Sequence, residues 1–150
     1  SPHVLYNQHL FDIIEVLEKN NLSIVPVLDK DKQFQGVITS RKLLYTIANS
    51  AAIQSVGGVI VLQMNNNDYS MTEIANIIEN NNTKILSSYV ISKKDSTEME
   101  LTIKLNKSDI NDVIRDLQRY DYNVKASFKE NDPNTDFLER YEQLMRYLNP

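Results

Sequence analysis

Asn65-Asn66-Asn67-Asp68 places four oxygen-bearing side chains in a row, and oxygen donors are what a hard cation takes. The run lacks the alternating carboxylates and the glycine of a calcium loop, so it reads as a solvated turn. His3 and His9 stand apart, with no second ligand at metal spacing, and each reads as a surface or strand-end residue. The chain has no cysteine, which removes disulfides, thiolate metal sites and a cysteine nucleophile. Its glycines, Gly36, Gly57 and Gly58, are too few to build a phosphate-cradling loop. A Ser, His and Asp triad could be assembled here only by chance, so the expectation is a protein that is not an enzyme. Thr39 and Ser40 are different. They stand before an apolar stripe and either can cap a helix.

These residues need elements to hold them. Val4 to Tyr6 can form a strand. Leu10, Ile13, Ile14 and Leu17 recur at helical spacing with Phe11 beside them. Ser23 to Leu28 and Phe34 to Thr39 read as strands around an Asp29–Lys32 turn. Pro26 lacks an N–H, which predicts a sheet edge or a bulge. A helix follows with Leu43, Leu44, Ile47 and Ala48 on one face. Asn49 to Gly58 is small and uncharged, and reads as a linker.

Beyond it the order is βαββαβ. Val59 to Met64, Ile85 to Ser92, Met99 to Leu105 and Val124 to Phe128 are the strands. One helix carries Met71, Ile74, Ala75 and Ile78 behind Ser70 and Glu73, which have capping-box spacing. The other carries Ile110, Val113, Ile114 and Leu117, with Ser108 as its cap. Asn131 to Asn134 breaks the chain. Thr135 can then cap a last helix whose broad apolar face is Phe137, Leu138, Tyr141, Leu144, Met145 and Leu148. That face can pack on its own domain or on a partner chain. The fold class is α+β, divided as 1–49, a linker at 50–58, a second domain at 59–130 and a helix at 131–150.

The chain has 150 residues and a net charge of −4, with pI about 5.2. That balance argues against a nucleic-acid binder. The βαββαβ order also serves RNA-binding sheets, but Val59 to Met64 lacks the aromatics that stack bases. No apolar run approaches the roughly 18 residues that span a bilayer. The expectation is no membrane, no nucleic acid and a cytoplasmic location, which the lack of cysteine fits.

Residues 4 to 48 resemble a CBS motif. The resemblance rests on Leu10 to Leu17, on Leu22-Ser23-Ile24-Val25-Pro26-Val27-Leu28-Asp29, and on Gly36-Val37-Ile38-Thr39 followed by Leu43-Leu44. Residues 58 to 129 resemble an ACT or ACT-like domain, mostly by element order. Together they look like bacterial CBS–ACT proteins of the acetoin-utilisation type, in which two CBS motifs come first. Here one is present, and the chain opens at Ser1-Pro2 without a methionine. The expectation is that an N-terminal CBS motif is missing.

The resemblance implies a ligand cleft between paired motifs. Ile24, Val25 and Pro26 would line a base slot, although strand and core roles explain them without a ligand. The pattern Gly-x-x-Thr/Ser-x-x-Asp would give a hydroxyl and a helix N-terminus to phosphate, and the Asp to ribose. This chain keeps Gly36 and Thr39, with Ser40 and Arg41 next, and has Lys42 at the Asp position. An ammonium cannot accept ribose hydrogen bonds, but Arg41 and Lys42 can meet a phosphate. Thr39 is therefore either an ordinary cap or a nucleotide contact. AMP, ATP and S-adenosylmethionine are the implied effectors. ACT sensors of amino acids carry Asp-x-Pro-Gly before their first helix. Only Asp68 of that pattern remains, in Asn67-Asp68-Tyr69-Ser70-Met71, so a capped turn competes with a ligand loop.

One strand-helix-strand-strand-helix unit cannot cover its own sheet. The partner would be a missing motif, the ACT segment or a second copy, and a symmetric homodimer is the favoured reading. The functional expectation is a regulatory ligand-sensing module. The alternative is a homodimerisation or protein-interaction module without a small ligand.

Overall fold

A computed structural model describes residues 1–129 and 137–148. The expected break at Asn131–Asn134, the Thr135 cap and the side chains of Phe137 and Leu138 lie outside the described residues. The chain divides into two compact units, Ser1–Gln54 and Ser55–Pro150. It is a mixed α+β protein, and the second unit is consistent with a ferredoxin-like fold.

The first unit runs β1 (Val4–Leu5), α1 (Leu10–Lys19), β2 (Ile24–Leu28), β3 (Phe34–Thr39), α2 (Ser40–Ala48) and α3 (Ala51–Gln54). Its sheet has the order β1-β2-β3. β1 joins β2 in parallel, and β2 and β3 are antiparallel. Val4, Ile13, Leu17, Val25 and Leu43 form the buried core. His9 caps α1: its Nδ1 accepts from the Phe11 N–H at 3.0 Å, while the Asp12 carboxylate accepts from the His9 N–H at 3.1 Å. Histidine is not among the preferred caps, which is why its spacing gave no signal.

Pro26 corrects an expectation, because β2 is the central strand. The Ser40 N–H donates to the Ser23 carbonyl at 2.9 Å. Antiparallel alternation then turns the Pro26 nitrogen away from β3. On that other side β1 begins to pair only at Val27. The missing donor therefore falls where a two-residue strand leaves room, and the bulge lies one step on, between Val27 and Leu28.

The second unit runs β4 (Val59–Asn65), a short 3-10 turn at Asn66–Asp68, α4 (Met71–Glu79), β5 (Ile85–Ser92), β6 (Glu98–Leu105), α5 (Asn111–Arg119), β7 (Asn123–Phe128) and α6 (Phe137–Leu148). Its antiparallel sheet has the order β5-β6-β4-β7. Ile60, Leu62, Leu101, Ile103 and Leu105 meet Ile74, Ile77, Ile78, Val113 and Leu117 in one core. Alternation sends Val61, Thr102 and Tyr89 to the opposite face.

One reading changes here. Ser108 is not at the N-cap position of α5. Ile110 occupies the cap position, and the Asp109 carboxylate accepts from the Asn111 N–H at 3.2 Å. Ile110 is fully buried there. The linker stretch also carries structure. Ala51–Gln54 is a helical turn, and Gly57 and Gly58 pack against β6. A Cβ on Gly57 would stand 1.8 Å from the Leu105 carbonyl oxygen.

α6 lies on its own sheet. The Tyr147 ring meets Phe128 edge-on at 5.6 Å, and its hydroxyl lies 3.0 Å from that of Tyr89. The hydrogen bond with Tyr89, reinforced by burial, holds the proton on the Tyr147 hydroxyl and raises its pKa. The surface beneath is partly polar, with a half-buried Lys125–Glu100 ion pair and Thr102. The amphipathic helix meets it with Tyr147, and Tyr141, Leu144, Met145 and Leu148 stay exposed.

Candidate functional site

The β2–β3 register brings most of the expected site residues of the first unit together. Ile24 lies opposite Thr39, and Pro26 opposite Val37. These residues share the sheet face that α1 and α2 do not cover. On it Ile24 is 49% exposed, Val37 53% and Phe34 67%. An apolar sheet face this bare lacks a covering layer. Val25 is the exception. The alternation that turns Ile24 and Pro26 outward turns Val25 into the core, at zero exposure.

At the end of β3 the chain enters α2. The Thr39 hydroxyl accepts from the Lys42 N–H at 3.0 Å, so it is the helix cap. Ser40, Arg41 and Lys42 are exposed around it. The first turn of α2 holds no acidic residue. Two cations at the positive end of a helix oppose its dipole. An anion seated there would relieve both the dipole and the repulsion between Arg41 and Lys42. The Lys42 ammonium lies 5.0 Å from the centre of the Tyr45 ring, a cation–π contact that steadies it.

Asp68 belongs to the second unit. It lines a cavity of about 380 Å³ together with Gln63, Asn65, Glu73, Asp121 and Tyr122. No Lys or Arg is among the lining residues, so the cavity suits an ammonium group rather than a phosphate. Tyr122 donates to Glu73 at 2.6 Å. Burial first, and this bond second, push its hydroxyl up to about 12. Sequence reasoning missed Tyr122 and Asp121 as neighbours of Asp68 and Glu73, because they meet only when β7 pairs with β4.

Among the described residues no cluster of three or more His, Asp or Glu could hold a metal ion. None of the described helices is long and apolar enough to cross a membrane.

Residues 2–49 match the CBS domain family. A CBS domain suggests a regulatory ligand-sensing module, and proteins that carry one are generally regulatory rather than catalytic. No curated protein matches the chain.

Proposed function

We propose that this chain is a non-catalytic regulatory module that senses an adenine nucleotide through its CBS unit. The observation that carries the reading is the bare sheet face of Ile24, Pro26, Phe34 and Val37 beside the cationic start of α2. The apolar face offers a slot for a base, and Thr39, Ser40, Arg41 and Lys42 offer a hydroxyl, N–H groups and charge to phosphate. Val25 supports the slot from below.

In this reading two copies pack through that face as a homodimer, with no nucleic acid or membrane in the assembly. The second unit is ACT-like, and the domain limits are 1–49, 59–130 and 131–150 around a 50–58 linker. The likeness to acetoin-utilisation CBS–ACT proteins supports a bacterial, cytoplasmic regulator. A ligand shifts such a module only through unequal affinity for its two packings. The carboxylates around Asp68 favour an amine or amino acid as a second effector.

The test is a thermal shift of the chain against AMP, ATP, S-adenosylmethionine and amino acids. A ligand at a hundred times its dissociation constant adds about 2.7 kcal/mol. Stabilisation by a nucleotide, lost in Arg41→Ala, supports the proposal. No shift with any of them returns the chain to the alternative of a dimerisation module without a small ligand.

A further inference from the structure

His9 holds the start of α1 with a ring nitrogen. The Phe11 N–H donates to its Nδ1 at 3.0 Å, and the His9 N–H donates to the Asp12 carboxylate at 3.1 Å. A Ser, Thr or Asn cap keeps its acceptor oxygen whatever the pH. A histidine cap does not. Nδ1 offers a lone pair only in the neutral ring that carries its proton on Nε2, and in the imidazolium both nitrogens are donors. Protonation sets an N–H against the Phe11 N–H and adds a positive charge at the positive end of the helix.

The capped turn also ties β1 to α1. The Leu5 N–H donates to the Gln8 side-chain oxygen at 2.7 Å, and the Gln8 N–H to the Leu5 carbonyl at 3.0 Å. The first helical bond follows directly, from the Ile13 N–H to the His9 carbonyl at 3.3 Å. β1 has two residues, and its Val4 is fully buried in the core of the unit. A strand this short makes few ladder bonds of its own, so the turn that ends in His9 helps to hold Val4 in place.

We propose that His9 is a proton-sensitive clasp: a proton gained at Nδ1 releases the cap and loosens β1 and the first turn of α1, while the second unit is unchanged. The surroundings leave the response to the ring itself. Asp12 is the charged group at this end of α1, and its carboxylate is held by the His9 N–H. An imidazolium competes for that carboxylate, so both halves of the capping box open together. β1, β2 and β3 carry no ionisable side chain. α2 carries Arg41, Lys42 and Tyr45; Lys42 lies over the Tyr45 ring, and among the described residues no ion pair joins α2 to α1. The His3 Nδ1 lies 3.0 Å from the Ser1 carbonyl oxygen. The clasp acts with or without a bound nucleotide and does not rest on that reading.

Amide hydrogen exchange of the full chain tests this at about pH 7.5 and about pH 5.5, on either side of the range in which an imidazole takes up a proton and above the usual carboxylate range. After correction for intrinsic rates, Leu5 to Ile13 should lose at least about threefold of their protection at the lower pH, within what a lost cap costs. Ile60 to Leu62, in the second unit, should keep theirs. His9→Asn supplies a cap that does not titrate and should remove the difference. His9→Ala should exchange fast at both pH values. Nitrogen spectra of the ring should show Nδ1 without a proton at about pH 7.5. Equal protection of Leu5 to Ile13 at both pH values, the same loss in His9→Asn, a loss shared by Ile60 to Leu62, or a proton on Nδ1 at the higher pH overturns the proposal.

Discussion

The Tyr122 hydroxyl donates a 2.6 Å hydrogen bond to the Glu73 carboxylate, tying the start of β7 to the first turn of α4. Ser70 caps that helix by accepting from the Glu73 N–H at 3.4 Å. The capping-box spacing was visible in the sequence. The use of the carboxylate was not, because Tyr122 is brought to it only by the pairing of β7 with β4.

Burial of the Tyr122 hydroxyl, reinforced by this bond, gives a pH dependence. The Tyr122 ionisation is pushed up to about 12, while an unfolded tyrosine titrates near 10. The folded state therefore holds the proton more tightly. Its contribution is fully present below about pH 10 and is lost as pH rises from there through about 12. Tyr122→Phe should narrow the loss of urea resistance between roughly pH 9 and pH 11. If wild type and variant lose the same resistance over that interval, the buried, hydrogen-bonded Tyr122 hydroxyl does not hold its proton as described.

Gly57 is a packing residue. A methyl group there meets the Leu105 carbonyl oxygen at 1.8 Å, and that strand end is held by the Leu105 N–H donating to Gly58 at 2.8 Å. Gly57→Ala should lower stability by about 1–3 kcal/mol, as overpacking does. Chemical denaturation checks it. An alanine variant with the wild-type midpoint would show the segment to be a free linker after all.

Legibility followed the range of the signal. Alternation in Met99, Leu101, Ile103 and Leu105, and helical spacing in Ile74 and Ile78, are local, and each marked its element and buried face. Leu44 fitted a helical stripe equally well yet is exposed at 68%, because spacing says nothing about whether a partner covers the stripe. Asn81 shows the other limit. Its amide donates to the Ile77 carbonyl and to Asp116, both at 2.9 Å, joining α4 to α5. In sequence it is one of three asparagines in a turn. At the candidate site, the Thr39 cap was legible from its place before Leu43. The inward turn of Val25 needed the strand's phase against the core.

Lys42 sits at the positive end of α2 beside Arg41, without an acidic neighbour in that turn. Lys42→Met should raise stability by about 0.3–1 kcal/mol by removing a cation from the positive end of the dipole, and should weaken any phosphate-bearing ligand. Thr39→Ala should cost about 1 kcal/mol, and Thr39→Ser much less. Thermal unfolding with and without ATP separates the effects. A Lys42→Met chain that is no more stable than wild type and binds ATP equally well would remove the electrostatic argument for this site.

α6 tests whether a helix can settle with Tyr141, Leu144 and Leu148 outward. Tyr147 touches Phe128 and Tyr89, over a sheet face where Val61 is fully buried. Leu144 and Leu148 are exposed at 50% and 59%. Tyr147→Ala should therefore cost about 1–3 kcal/mol, while Leu148→Ser should change stability by no more than about 0.5 kcal/mol. Dilute protein keeps association out of the comparison. If Leu148→Ser were the more damaging change under those conditions, α6 would have to be rotated about its axis in solution, with its stripe against the sheet.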